Sequence, residues 1–237
     1  MLSYVGTSGF SYAPWKGAFY PAKLRPAEML AFYASHFRAV EINNTFRKLP
    51  ERSAVEQWAR EVPNDFRFAL KMPQQVTHFG RLEKKTYPIV DEFFALYDVL
   101  GKKAGPVLVQ LPHNMKKELV RVRALVEHVA GRAPLAFELG HHTFRDEETY
   151  AMLRELGSAI VAIDDPDKAQ SLLPAPHPGG FIYARRRLDR YGPKAHAAFA
   201  EAVRGASGAK SAWVFFKHED SARGPRFAKQ LTAALTR

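Results

Sequence analysis

The chain is predicted to fold as an α/β barrel of the TIM (β/α)8 type. Three observations predict it. Short apolar runs recur about eight times, and helical spacing of apolar residues fills most of the segments between them. Nearly every run ends abruptly in polar residues, as at the reactive end of a parallel barrel. The length, 237 residues, suits one such barrel, and no repeat or linker divides it, so a single domain over residues 1–237 is expected. An open doubly wound sheet is the less favoured alternative.

Leu2–Thr7 reads as the first strand. The Gly-Thr-Ser-Gly loop around Ser8 could bring backbone N–H groups close to an anion, although it lacks the ending of a P-loop. Trp15, Phe19 and Tyr20 follow as loop aromatics, expected to cover the core. Residues 26–37 set Met29, Leu30, Phe32, Tyr33 and Phe37 at helical spacing behind an early proline. The second strand, inside 39–46, has Val40 and Ile42 as buried positions and carries Glu41, Asn43, Asn44 and Thr45. A carboxylate, two amides and a hydroxyl at a strand end suggest chemistry; an ordinary Asn-rich turn is the structural alternative.

A helix over 51–61 leads to a strand over 66–72, in which Phe66, Phe68 and Leu70 alternate ahead of Lys71. Residues 74–87 read as a long polar loop containing His78, of a size that usually carries function. A helix over 89–100 precedes the strand 106–112, apolar until Gln110 and therefore covered on both faces. After a helix over 119–130, the strand 135–139 has Glu138 near its end and His141 beyond. Asp146 is placed to cap a helix reaching about residue 156. The sixth strand, 159–163, ends in Asp164 and Asp165. Residues 166–180 contain four prolines and no convincing helix, so the crossover between strands 6 and 7 is expected to be irregular. Residues 181–184 form the seventh strand and open into Arg185, Arg186 and Arg187. A helix over 195–203, a strand over Ser211–Phe216 ending at Lys217, and a helix over 225–235 complete the pattern.

Lys and Arg (35) exceed Asp and Glu (24), a formal net charge of +11. Such an excess attracts anions generally, so phosphorylated metabolites and nucleic acid both stay open as partners. The absence of cysteine excludes disulfides, thiolate zinc sites and a cysteine nucleophile. No run approaches the roughly 20 apolar residues of a membrane span, and the first ten residues lack signal-peptide features. A cytoplasmic protein without membrane association is expected, with its oligomeric state left open.

With GTSGFSY at 6–12, FYP at 19–21, VEINNTFRKLP at 40–50, FRFALKMP at 66–73, the Thr77-His78 pair, GPVLVQLP at 105–112, FELGHHTF at 137–144 and VFFKHED at 214–220, the chain resembles the domain-of-unknown-function 72, or YecE-like, family. The resemblance covers nearly the whole chain and implies a TIM-barrel fold; it implies no reaction. Two departures stand out. The resemblance leads one to expect an arginine where Gly140 stands, and an Arg-Leu-His-Gly pattern where this chain has Arg185-Arg186-Arg187-Leu188.

A barrel gathers strand ends, so Glu41, Asn43, Lys71, Gln110, Glu138, Asp164, Arg185 and Lys217 are expected to ring one mouth, joined by Ser8, Thr45, His78 and His141 as substrate-binding candidates. Glu41 and Glu138 are candidate general base and acid, and Lys71 a pKa-lowering neighbour, an oxyanion stabiliser or a Schiff-base lysine. The expected substrate is a small phosphate- or carboxylate-bearing, sugar-derived anion, because phosphate sites in such barrels commonly follow strands 7 and 8. No cofactor is specified. A divalent metal on Glu41, Glu138, His141 and Asp164 is conceivable but lacks any short ligand spacing, so no metal ligand is assigned. Glycoside hydrolysis fits less well, the site being cationic and poor in tryptophan. Three alternatives remain: a nucleic-acid-binding or -processing protein using the arginine run and the basic loop 81–85, a non-catalytic ligand-binding barrel, and a buried ion-pair network that only fills the barrel.

Overall fold

The computed structural model describes residues 1–164 and 179–236. The crossover between strands 6 and 7, together with Asp165, lies outside the described residues. Eight parallel strands follow one another around a barrel: β1 (Leu2–Thr7), β2 (Ala39–Ile42), β3 (Arg67–Lys71), β4 (Ala104–Gln110), β5 (Leu135–Glu138), β6 (Ala159–Asp164), β7 (Phe181–Arg186) and β8 (Ser211–Phe216). Outside them run α1 (Met29–Ala34), α2 (Arg52–Glu61), α3 (Tyr87–Tyr97), α4 (Leu119–Val129), α5 (Glu147–Glu155), α6 (Pro193–Arg204) and α7 (Arg223–Leu235). The expected TIM-type barrel is therefore what forms.

The seam between β1 and β2 closes through a single parallel bridge, Ser8 to Glu41, with the Gly9 N–H donating to the Glu41 carbonyl at 2.7 Å. Gly6 permits the approach, since a Cβ there would sit 1.9 Å from the Ala39 carbonyl oxygen. From outside, the Tyr33 hydroxyl on α1 stitches the seam, accepting from Thr7 N–H (2.8 Å) and donating to the Ala39 carbonyl (3.0 Å).

Because side chains alternate along each strand, the barrel has two faces. Ala39, Ala69, Leu108, Ala136, Val161, Phe181, Tyr183, Trp213 and Phe215 fill the interior. Val40, Phe68, Leu70, Val107, Val109, Leu135, Phe137, Ile182, Val214 and Phe216 face the helices. Trp15 is fully buried over the core, its indole N–H donating to the His218 carbonyl at 3.2 Å, as expected for a covering aromatic.

Three elements differ from the sequence expectation. The helix over 26–37 is a short 3-10 turn, Pro26–Glu28, followed by α1. The polar loop 74–87 contains a π-helical turn, Gln75–Phe79, and a 3-10 turn, Lys84–Thr86; the buried Leu82 anchors its middle in a left-handed conformation. The seventh strand runs to Arg186 rather than Ala184, so the first two arginines are strand residues and point to opposite faces. No helix among the described residues is long and apolar enough to cross a membrane.

Candidate functional site

At the C-terminal end of the strands the interior turns from apolar to charged. Glu41, at the end of β2, is completely buried. One of its oxygens accepts from Ser8 Oγ (2.6 Å) and Arg185 Nε (3.1 Å), the other from the Tyr183 hydroxyl (2.7 Å). Across the barrel Glu138 takes Arg185 Nη1 at 2.7 Å, Arg187 Nη2 at 2.9 Å and the Gln110 amide. Gln110 and Glu138 reach each other because β4 and β5 hold them in register. Arg185 thus spans the mouth and binds both carboxylates, which hold it charged against the burial that opposes ionisation. Burial alone would push the Glu138 carboxyl up; the guanidiniums of Arg185 and Arg187 outweigh it and hold the group at about 2. The Tyr183 hydroxyl is pushed well above its usual range by burial and by Glu41.

Lys71 ends β3 two residues after the inward-facing Ala69, so it points into the same mouth. It is 8% exposed. Its Nζ sits 3.8 Å from the centre of the Phe46 ring, a cation–π contact, and among the described residues it has neither a hydrogen bond nor an ion pair. Burial, and then repulsion by Arg185, lower its pKa to about 8 against the pull of Glu41 and Glu138. His78, on the π-helical turn, packs edge-on against the same Phe46 ring at 4.9 Å and bonds Thr77 Oγ1 through Nδ1 at 3.0 Å. Burial and the Lys71 charge push the His78 imidazole down. Asn43, just beyond β2, has its side-chain oxygen buried without a hydrogen-bond partner among the described residues. Lys217 stands at the rim, its side chain 43% exposed and 3.9 Å from Glu219.

Glu41, Glu138, Arg185, Gln110 and Ser8 thus come together by direct contact, with Lys71, His78, Asn43 and Lys217 around them. Three expected members stand apart. Asp164 does not ring the mouth: Ile163 takes the inward position of β6, and Asp164 points outward, bonding Arg186 Nε, the Arg187 backbone N–H and the Tyr191 hydroxyl, each at 2.6 Å. Thr45 spends its hydroxyl on the Lys71 carbonyl at 2.7 Å, tying the turn after β2 to the end of β3. His141 uses Nδ1 on Thr143, accepting from its backbone N–H and meeting its hydroxyl at 2.9 Å, and so caps a short 3-10 turn. The ligand set Glu41, Glu138, His141 and Asp164 consequently does not converge, and no other group of His, Asp and Glu suited to a metal forms among the described residues. At Gly140 a Cβ would meet His113 Nδ1 at 2.6 Å, so His113 fills the space a longer side chain would need.

Sequence reasoning missed Tyr183, and it named Arg187 only within the arginine run after the seventh strand, without its contact to Glu138; both touch the carboxylates. Positions 183, 185 and 187 share one face of an extended segment, and that spacing was the available signal. Tyr12 was missed too; its hydroxyl donates to the Ser8 carbonyl at 2.9 Å, and after burial Glu219 and Glu41 push it upward.

Comparison with known proteins agrees with this architecture. The chain is 28% identical over 158 residues to the UPF0759 protein YecE of Escherichia coli K12, covering 65% of this chain and 55% of that protein. It is 26% identical over 185 residues to the UPF0759 protein YunF of Bacillus subtilis 168, covering 73% and 64%. The matched part therefore spans less than two thirds of either relative. A DUF72 family protein of Thermotoga maritima MSB8, TM1631, superposes with a TM-score of 0.80 at 27% identity over all of both chains. A DUF72 family protein of Enterococcus faecalis V583, EF0366, does so at 0.82 with 19% identity, over 100% of this chain and 96% of that one, a likeness of fold. The family model described as "Protein of unknown function DUF72" matches residues 4–237, and the chain belongs to that family.

Proposed function

We propose that this DUF72 family member recognises a small anionic substrate, bearing a carboxylate or phosphate, at the C-terminal mouth of its barrel. One observation carries the reading. Among the described residues the two buried carboxylates of the mouth are matched by the guanidiniums of Arg185 and Arg187, and the ammonium of the largely buried Lys71 has no hydrogen bond or ion pair there. An ammonium held largely out of water without an ion-pair partner is unfavourable, and a bound carboxylate or phosphate relieves it. Arg187, one fifth exposed, and the half-exposed Lys217 add positive potential at the entrance, which favours anion capture.

Within this reading Glu41 and Glu138 position the guanidiniums instead of moving protons. Each accepts at least three hydrogen bonds, and the Glu138 carboxyl, held at about 2, delivers no proton near neutrality. Proton transfer falls to Lys71 and His78. Nucleic-acid binding draws less support: Arg185 and Arg186 are buried and paired, and Lys85 of the basic loop pairs with Glu83.

Calorimetric titration with inorganic phosphate, glycolate and other short hydroxy acids tests the proposal. A saturable site is expected, weakened roughly ten- to hundred-fold in Lys71→Met, the loss of one charge-assisted contact. Absence of saturable binding for every anion, or equal affinity in the variant, would refute it.

A further inference from the structure

We infer that Lys71 is a covalent nucleophile, condensing through Nζ with an aldehyde or ketone carried by the bound anion to form an imine. The inference rests on the anion-binding reading above and adds the ligand's class, a small oxo acid or oxo phosphate. Four features of the mouth support it. The Lys71 side chain is mostly buried while its nitrogen stays open to the mouth, and among the described residues no acceptor competes for it. The Phe46 face against which it rests attracts a cation without directional hydrogen bonds, so an iminium is held there as well as an ammonium. His78 lies edge-on to that same ring, an imidazole suited to shuttling protons as the carbinolamine forms and loses water. Asn43, two residues past Glu41, has a buried side-chain oxygen without a hydrogen-bond partner among the described residues, a polar group that the fold itself leaves unsatisfied at this end of β2.

The step balances without a co-reactant. The ammonium gives up a proton, the neutral amine adds to the carbonyl carbon, and the carbon–oxygen bond breaks with release of water as the carbon–nitrogen double bond forms. Protonated ammonium plus carbonyl thus becomes iminium plus water, and the positive charge that the anion meets is kept. Burial and repulsion from Arg185 assist, because a lysine at about 8 keeps about a tenth of its amine neutral near pH 7, far more than a surface lysine does.

Reductive trapping tests the inference. Wild-type protein, Lys71→Arg and Lys71→Met are treated with glyoxylate and cyanoborohydride near neutral pH, and modified lysines are located by peptide mass mapping. Binding of glycolate, the analogue without a carbonyl, is followed separately by thermal shift. Carboxymethylation of Lys71 roughly ten-fold or more faster than of the surface lysines, slowed by glycolate, is expected. If glycolate stabilises the wild type but not Lys71→Met, and Lys71 is modified no faster than surface lysines, the covalent role is overturned while the anion site stands. If no anion stabilises the wild type yet Lys71 is still trapped selectively, the nucleophile survives and the anion reading falls. Selective trapping of another lysine at equal rate in Lys71→Arg overturns the assignment to Lys71.

Discussion

Replacing Lys71 with methionine should make the protein more stable. The side chain is largely buried, its ammonium has no ion-pair partner among the described residues, and its pKa falls from 10.5 to about 8 on folding. At about 1.4 kcal/mol for each tenfold change, the charge opposes folding by about 3 kcal/mol wherever both folded and unfolded chains hold the proton. The loss of the Phe46 contact offsets about 1 kcal/mol of the gain, leaving about 2 kcal/mol in favour of the variant near pH 7. The pH dependence fixes the cause. A base whose folded pKa is depressed exacts its full cost below that value. As pH rises from about 8 towards 10.5 the folded protein releases the proton while the unfolded chain keeps it, so wild-type stability climbs. Urea unfolding of both proteins at about pH 7 and at about pH 10 therefore yields a gap that closes with pH. A variant less stable than wild type near neutrality, or a gap indifferent to pH, would mean that Lys71 is compensated within the fold, and the case for a missing anion would go with it.

Arg185→Leu removes the cation shared by two buried carboxylates and should cost roughly 3–5 kcal/mol in chemical unfolding; a cost under about 1 kcal/mol would show that Glu41 and Glu138 do not depend on it. Glu138 stabilises the fold by about 3 kcal/mol above its unfolded value of 4.5, and that contribution is lost as pH falls towards its folded value of about 2. Acid unfolding of Glu138→Gln should lack this limb, whereas profiles that keep the same slope would contradict the assignment. In Lys71→Met the His78 imidazole, relieved of a neighbouring charge, should titrate higher by NMR; an unmoved titration would separate the two residues.

The barrel and the heart of its mouth were legible because both depend on strand alternation. Glu41, Lys71 and Glu138 each follow an inward-facing alanine by two residues, Ala39, Ala69 and Ala136, and stand at or next to the end of their strands. The same rule assigns Asp164 outward, since Val161 and Ile163 are inward, and it was overlooked because a carboxylate after an apolar run was read by its chemistry and not by its position. Ending the seventh strand at Ala184 hid the alternation of 185, 186 and 187, and with it the reach of Arg187 to Glu138. The uses of Thr45 and His141 were not legible at all. Whether a hydroxyl or imidazole turns to a ligand or to nearby backbone depends on turn geometry that composition does not specify.

The two faces of β7 carry nearly the same chemistry with opposite outcomes, and the contrast isolates what is functional. On the outer face Asp164 meets Arg186, whose guanidinium lies between Tyr191 at 4.3 Å and Phe199 at 4.2 Å. One carboxylate faces one guanidinium there, and the cluster serves as a buried clasp between barrel and helices. On the inner face Arg185 and Arg187 answer Glu41 and Glu138 in the same way, which by itself would also be only a clasp. A filler that merely completes the barrel top could stop at that point, or use leucine, because well-packed apolar groups do as well as buried ion pairs. Lys71 breaks the equivalence. It adds a charge that no described side chain neutralises, on a strand end aimed into the mouth, and beyond the neighbouring β2 the Asn43 amide oxygen also lacks a described partner. Packing alone explains neither the lysine nor the amide, whereas a ligand presenting an acceptor to one and a donor to the other explains both.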